Sequence, residues 1–386
     1  DVCSSDLQRL GAHFESKGDD QLLVTAPGFR ADLHQEVDLI EECARLSGYD
    51  RIPEIMPPLK ESPKAFDKEY ANDRKLQNLL SGFGFHQVIN YNFGNRESDQ
   101  EFLGSPVKYQ ALGLSVTDQP VQIQNPLSDD LASMRISLFP ALYATGLQNF
   151  RHGLSKGRLF EIGHSFERCN GRYAQEQRLG LVAWGQSRDL WQDHSKRPVV
   201  FDLKACLQAL FEKLGIKKFE FQAFASKTDV PDFLHPGQAA VLCVENRPVG
   251  VVGSIHPRLI ERDKWRGSTA VAELNKEGLM RGQPRSVKFK PVSNYPVVER
   301  DLAFLLPNEL PAQKVADCLQ SLGKDWVQSV RVFDVYQGAD LGSELRSVAY
   351  RMVIQNPDGT LDEKQLSDLQ VKLVSGVEKK LKVQVR

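Results

Sequence analysis

Four carboxylates near the start of the chain, Asp32, Asp38, Glu41 and Glu42, have the type and spacing to bind a hard divalent cation. Asp38, Glu41 and Glu42 stand at i, i+3 and i+4, so on a helix they share one face, and Asp32 arrives from the extended stretch before it. Magnesium takes oxygen ligands and keeps several waters, so two to four carboxylates are enough for it. The same acids also read as charges at a helix start that complement the macrodipole and face water. Spacing alone favours that second reading.

Other groups with chemical potential are less well arranged. Glu161 and His164 imitate an ExxH metal pair, but three residues apart on a strand they point to opposite faces. His235 and His256 each precede a proline and read as turn residues. The cysteines, Cys3, Cys43, Cys169, Cys206, Cys243 and Cys318, are scattered, with no CxxC pair and no histidine at zinc spacing. That usage fits thiols in a reducing cytosol, so a cytoplasmic location is expected. Arg281, Arg285, Lys288 and Lys290 lie close together with no acid among them and read as a solvated basic tether before an RNA contact.

These residues need elements to hold them. A chain of 386 residues, 41% hydrophobic and 26% charged, has room for two or three globular domains. With Lys+Arg 49 against Asp+Glu 50, net charge gives no sign of nucleic acid or membrane, and RNA contacts must come from local patches. No apolar run reaches the length of a membrane span, so no membrane partner is expected. The opening DVCSSDL looks like a translated adapter read rather than protein sequence and is left out of the fold reasoning. On that reading the chain is a fragment whose N-terminal half lies upstream.

Val37, Ile40, Ala44 and Leu46 set the phase of a helix ending at Gly48, and Ile52-Pro53 and Met56-Pro57-Pro58 mark a linker. From about Ala65 to Leu279 helices and strands alternate. A helix over Lys68 to Leu80 precedes a strand over His86 to Phe93, and a β-run at Val121 and Ile123 stops at Asn125-Pro126. Leu131, Met134, Leu138, Leu142 and Leu147 then predict one or two helices broken near Pro140, and Leu159 to Phe166 predicts a half-buried strand. Further on come a helix from Asp202 to Leu214 and a hairpin at Glu245-Asn246-Arg247-Pro248. An antiparallel sheet flanked by helices is expected. From about Val292 to Arg386 the order is strand, helix, strand, strand, helix, strand, the ferredoxin-like βαββαβ plan. The fold class is therefore α+β.

Particular residue identities go beyond periodicity. Asn125, Pro126, Leu127, Ser128, Met134, Arg135, Ser137, Leu138, Pro140 and Leu142, followed by Phe160, Glu161, Ile162, Gly163 and Phe166, resemble the catalytic-like core of the beta chain of bacterial phenylalanyl-tRNA synthetase. The phrase RADLHQEVDLIEECARLSGYDRIPE is similar to the end of that chain's small B5 domain. Tyr295-Pro296, Arg300-Asp301-Leu302, Phe333-Asp334-Val335-Tyr336, Gly338 and Leu361-Asp362 resemble its anticodon-binding domain. The blocks follow the family's order over nearly all the chain after Leu7.

The resemblance implies the C-terminal portion of such a beta chain: an N-terminally truncated B5-like domain at 8–58, a class II synthetase-like antiparallel core at 65–279, and a ferredoxin-like anticodon-binding domain at 292–386. It implies Mg2+ at Asp32, Asp38, Glu41 and Glu42, close to the partner subunit. It also implies a beta subunit of phenylalanine–tRNA ligase that supports ATP-dependent attachment of phenylalanine to tRNA(Phe). Its partners would be an alpha subunit, in an alpha2-beta2 heterotetramer, and the tRNA. Activation needs cationic groups aimed at the ATP phosphates, which class II synthetases supply with an arginine two residues before a glutamate. Here Leu159 occupies that spacing before Glu161, Arg158 shares a strand face with Phe160 and Ile162, and Gly250 to Gly253 lack an arginine pattern. The core is accordingly expected to be non-catalytic, with the alpha subunit making the adenylate. The rival reading is a stand-alone RNA- or DNA-binding paralogue. Arg300, Arg331, Arg346 and Arg351 are candidate RNA contacts, and each reads equally well as an ordinary surface arginine.

Overall fold

The computed structural model describes residues 2–18, 21–58, 67–117, 119–169, 171–185, 198–284, 289, 291–324, 326–338 and 341–386. Arg285, Lys288 and Lys290 of the expected basic tether lie outside the described residues, and Arg281 pairs with Glu277 at 2.6 Å. Contacts divide the chain into two units, Asp1–Gln283 and Pro284–Arg386. Among the described residues no helix is long and apolar enough to cross a membrane.

The first unit begins with helix α1 (Val2–Arg9), a hairpin of β1 (His13–Ser16) and β2 (Leu22–Thr25), and helix α2 (Glu36–Ser47). The opening residues, left out of the fold reasoning, form α1. Leu7 is buried in α1, and the Ser47 hydroxyl of α2 donates to Asp6 at 3.4 Å. A short read of mixed composition hides one apolar residue at the right phase to pack. Helix α2 starts and stops as its sequence requires: Gln35 and Asp38 form a reciprocal capping box and Gly48 closes the C-terminus.

The chain continues through α3 (Lys68–Gly82), β3 (His86–Gln87), β4 (Phe93–Gly94), α4 (Arg96–Leu103), α5 (Val107–Gln110), β5 (Ser133–Met134) and α6 (Phe139–Arg151). Then come β6 (Gly157–Cys169), β7 (Arg172–Trp184), α7 (Val199–Lys213), β8 (Phe219–Gln222), β9 (Leu234–Val244), β10 (Arg247–Ile255), α8 (Pro257–Arg262), β11 (Thr269–Asn275) and α9 (Lys276–Arg281). Seven strands form one sheet in the order β3-β6-β7-β11-β10-β9-β8. All its pairs are antiparallel except β3 with β6 at the edge. The β9–β10 turn falls on Glu245 and Asn246, both at positive φ, as a two-residue hairpin of this hand demands.

Two expectations for this unit need correction. The strand expected over His86 to Phe93 pairs with β6 only at His86 and Gln87, after which the chain leaves the sheet with Ile89 and Tyr91 exposed. The helix expected from Leu131 is instead a tight turn and strand β5, and the helix begins at Phe139 with Pro140 in its first turn. Proline there opens the helix instead of breaking it, because the first-turn N–H has no intrahelical partner to lose.

Strand alternation sends side chains to two covered faces. On β7, Leu179, Leu181 and Ala183 join a core with α3, α7 and α9, whereas Val182 and Trp184 join a second core with α6. Helix α6 lies so close to the strand that a Cβ at Gly180 would stand 2.4 Å from Leu142 Cδ1. Gly180→Val is expected to push α6 off the sheet and cost roughly 2–3 kcal/mol, read as a lower urea midpoint.

The second unit runs β12 (Val298–Pro307), α10 (Ala312–Gly323), β13 (Val327–Tyr336), β14 (Leu345–Ile354), α11 (Glu363–Leu381) and β15 (Gln384–Val385). Its antiparallel sheet has the order β13-β14-β12-β15, the ferredoxin-like arrangement expected from the element order. Leu302, Phe304, Leu306, Val348, Tyr350 and Met352 bury one face under the two helices. Among the described residues the opposite face carries no helix of this unit, and Asp301, Arg331 and Arg351 lie on it as cross-strand neighbours.

Candidate functional site

The capping box dictates where Asp38 points. Its Oδ2 accepts the N–H groups of Gln35 at 2.7 Å and His34 at 2.8 Å, which hold its carboxyl below the usual range. Asp32 and Glu42 meet around a third residue, Arg30. Arg30 Nε and Nη2 donate to the two oxygens of Asp32 at 2.9 and 2.6 Å, while Nη1 and Nη2 donate to those of Glu42 at 3.2 and 2.9 Å. Arg45 reaches Glu42 from the next turn at 2.6 Å. Hydrogen bonds from Arg30 bring the Asp32 carboxyl down to about 2, and those from Arg30 and then Arg45 do the same for Glu42. Glu41 is exposed on the same helix turn. Among the described residues no three His, Cys, Asp or Glu side chains gather as a metal cluster. Arg30 and Arg45 escaped the sequence reading, although Arg30 stands two residues before Asp32 and Arg45 at i+3 from Glu42.

On the α6 face of the large sheet, charged side chains lie among apolar ones and satisfy each other. Arg135 Nη1 donates to Glu161 Oε1 at 2.6 Å, Asn90 Nδ2 donates to its Oε2 at 2.7 Å, and Arg135 Nε donates to the His164 carbonyl at 2.8 Å. A Cβ at Gly163 would stand 2.3 Å from Arg135 Nη2, so the glycine of the FEIG phrase is where the guanidinium passes. Arg178, fully buried, donates to Glu273 at 2.9 Å and to Glu176 at 2.7 Å. Glu273 also accepts the Ser137 hydroxyl at 2.6 Å and the Leu138 N–H at 3.1 Å. Burial pulls the Arg178 pKa down, but the charges of Glu273 and Glu176 outweigh it and leave it raised. The polar identities of MRxSL thus have a physical cause: Arg135 and Ser137 anchor the start of α6 to two carboxylates on the sheet. His164 lies off this face, and Arg158 turns to the Phe83 carbonyl at 3.0 Å, on the other side as its strand parity predicts.

Beside this network a cleft of about 410 Å³ is lined by Asp99, Arg135, Ser137, Arg151, Arg262 and Asp263, among others. Burial pushes the Asp99 carboxyl up to about 6, from 3.8. A raised folded pKa adds stability that is complete below the unfolded value and lost as pH rises through the folded one. Asp99→Asn should therefore match the parent near pH 3.5 and be more stable near pH 8, by roughly 3 kcal/mol. Melting curves at the two pH values check this, and an equal difference at both would contradict it.

On the open face of the second unit, aromatic rings and guanidinium groups stand together. Arg351 forks onto Asp301 at 2.9 and 2.8 Å and lies 4.9 Å from the Phe333 ring centre. Arg386 lies 5.0 Å from the ring centre of Tyr336, and Phe333 and Tyr336 are 51% and 42% exposed. Arg331 is exposed opposite Arg351. Arg346 turns to the Leu310 carbonyl at 3.0 Å and Arg300 to the Glu299 carbonyl at 3.1 Å.

Residues 52–276 match the family described as phenylalanyl tRNA synthetase beta chain CLM domain. The chain belongs to that family. Residues 1–49 of this phenylalanyl-tRNA synthetase beta chain relative match the tRNA synthetase B5 domain, and residues 293–386 match the ferredoxin-fold anticodon binding domain. The phenylalanine–tRNA ligase beta subunit of Bdellovibrio bacteriovorus is 38% identical over 381 residues, 98% of this chain and 47% of that protein. Those of Carboxydothermus hydrogenoformans and Thermotoga maritima are 32% and 27% identical over 96% and 98% of this chain, and 45% and 46% of their own lengths. The chain thus spans about half the length of the curated beta subunits it matches.

Proposed function

We propose that the chain serves phenylalanine–tRNA ligase as a non-catalytic beta subunit, assembling with an alpha subunit and holding the anticodon end of tRNA(Phe) while the alpha subunit activates phenylalanine. The observation that carries this reading is the α6 face of the sheet. Forming an aminoacyl-adenylate places negative charge on ATP phosphates, and stabilising it requires cations free to face the substrate. Here the buried guanidinium groups on that face, Arg135 and Arg178, are taken by Glu161 and by Glu273 with Glu176. The network positions α6 and occupies its own cations.

RNA binding is assigned to the open sheet of the second unit. Exposed rings flanked by guanidinium groups stack bases and neutralise phosphate, which suits single-stranded nucleotides such as an anticodon. This work belongs in the cytoplasm, where tRNA is charged. Copurification tests the assembly: the chain expressed with its alpha subunit should elute as an alpha2-beta2 complex. A chain that stays monomeric and binds tRNA by itself would favour the stand-alone RNA-binding paralogue.

Magnesium is proposed at Asp32, Asp38, Glu41 and Glu42, completed where the alpha subunit meets the exposed Val37 and Ile40 of α2. All four groups offer hard carboxylate oxygens, which is the support for this reading; Arg30 takes those of Asp32 and Glu42, and among the described residues no three of the acids gather. Bound there, the ion would neutralise the acids and leave α2 free to approach the partner. Asp32→Asn and Asp38→Asn/Glu42→Gln are expected to abolish the magnesium dependence of alpha–beta association. Unchanged dependence in both variants would reduce the acids to a helix-start charge.

A further inference from the structure

We propose that Arg386 is a positioning residue for RNA, holding the Tyr336 ring across the open face of the second unit as a platform laid out in advance for one stacked base. The inference rests on the RNA reading of that face and adds the residue that prepares the ring. Tyr336 stands on β13 opposite Ser347, on the face of Arg351. The Arg386 N–H bonds to the Ala303 carbonyl at 2.9 Å, continuing the register of β15 with β12, so Arg386 shares the face of Asp301. β13 and β15 are the two edges of the sheet, with β14 and β12 between them. Three strand spacings of about 4.8 Å put the two residues roughly 14 Å apart. Even so, the Arg386 guanidinium carbon lies 5.0 Å from the centre of the Tyr336 ring. Neither side chain closes that gap while standing up from the sheet, so both lie across it and meet over the inner strands.

The face leaves room for them to lie down. Along that line the open side of β12 and β14 carries Ala303, Ala349 and Ser347, all small, with Leu305 half-buried beside them. Ser347 is only 5% exposed although no described helix of this unit covers it, so side chains of the face itself do. A ring has two faces, and the guanidinium takes one, which leaves the other for a base. Attraction between the cation and that π face also resists turning of the ring edge-on. An exposed tyrosine otherwise samples several rotamers, and ordering it on binding costs affinity. A ring already laid down avoids that cost. Arg386 therefore acts through Tyr336, and its effect falls on capture of the tRNA.

The test is a double-variant cycle on the KM for tRNA(Phe) in charging by the assembled enzyme. Arg386→Ala should raise KM roughly three- to tenfold with kcat unchanged, and should raise it no further once Tyr336→Ala is present. Arg386→Lys, a cation without the planar guanidinium, should raise it less. The slope of tRNA binding against salt should stay the same in Arg386→Ala, since no phosphate contact is lost. Melting checks that the variants fold, and if Arg386→Ala does not, Arg386→Lys taken through the same cycle decides. An unchanged KM in the Arg386 variants, with Tyr336→Ala impaired, overturns the positioning role and leaves the RNA reading standing. Additive losses with a shallower salt slope make Arg386 a direct phosphate contact and overturn it equally. If Tyr336→Ala charges tRNA like the parent, the RNA reading of Tyr336 fails and the positioning role with it.

Discussion

Glu273→Gln should lower the stability of the first unit by about 3–5 kcal/mol, the usual cost of leaving one charge of a buried pair uncompensated. Arg178 and Glu273 are both fully buried, so no solvent replaces the lost carboxylate charge. The same carboxylate also accepts from Ser137 and from the Leu138 N–H, and both contacts weaken against a neutral amide. Arg178→Met strands Glu273 instead and should cost a similar amount. The double variant Arg178→Met/Glu273→Gln should be less damaging than the sum of the two, because neither charge is then left alone. Urea unfolding followed by the emission of Trp184 and Trp265, which share a core with α6, measures all three. A loss below about 1 kcal/mol for Glu273→Gln would mean that the network does not hold α6 to the sheet.

The second large effect concerns the open sheet. Phe333→Ala/Tyr336→Ala should cut the charging of tRNA(Phe) by the assembled enzyme by roughly 10–100-fold in kcat/KM, since base stacking on an aromatic ring contributes about 1–3 kcal/mol per base. Both side chains are exposed, so the fold of the second unit should survive, and its melting temperature checks that. Phenylalanine activation should be unchanged, because the proposed function assigns it to the alpha subunit. Arg351→Ala removes the charge above Phe333 and frees Asp301 at once, so it should weaken tRNA binding more steeply at low salt. Undiminished charging by the aromatic double variant would count against RNA recognition by this face.

Much of this was legible in the sequence because it is local. The apolar phase of α2, its closing glycine, the Glu-Asn turn and the element order of the second unit depend on neighbours a few residues apart. What depends on distant partners was not legible. Arg178 and Glu273 are separated by 95 positions, and nothing near either marks it as half of a buried pair. The phrases MRxSL and FEIG stood out as identities without a cause until the sheet brought Arg135 to Glu161 and Ser137 to Glu273. The misplaced helix start near Pro140 has a similar origin. Apolar periodicity from Leu131 onward is met partly by strand β5, which pairs with β4, so the period is shared between two kinds of structure. At the carboxylates the acids were found by their spacing, whereas Arg30 arrived from outside the helix and drew Asp32 and Glu42 onto itself.

A chain that supports activation without performing it is tested most directly by phenylalanine-dependent exchange of pyrophosphate into ATP. The purified chain alone should show no exchange above background at saturating ATP, phenylalanine and magnesium, and adding the alpha subunit should make exchange appear. Robust exchange by the chain alone, surviving removal of any copurified alpha subunit, would contradict the ion-paired face on which the proposed function rests.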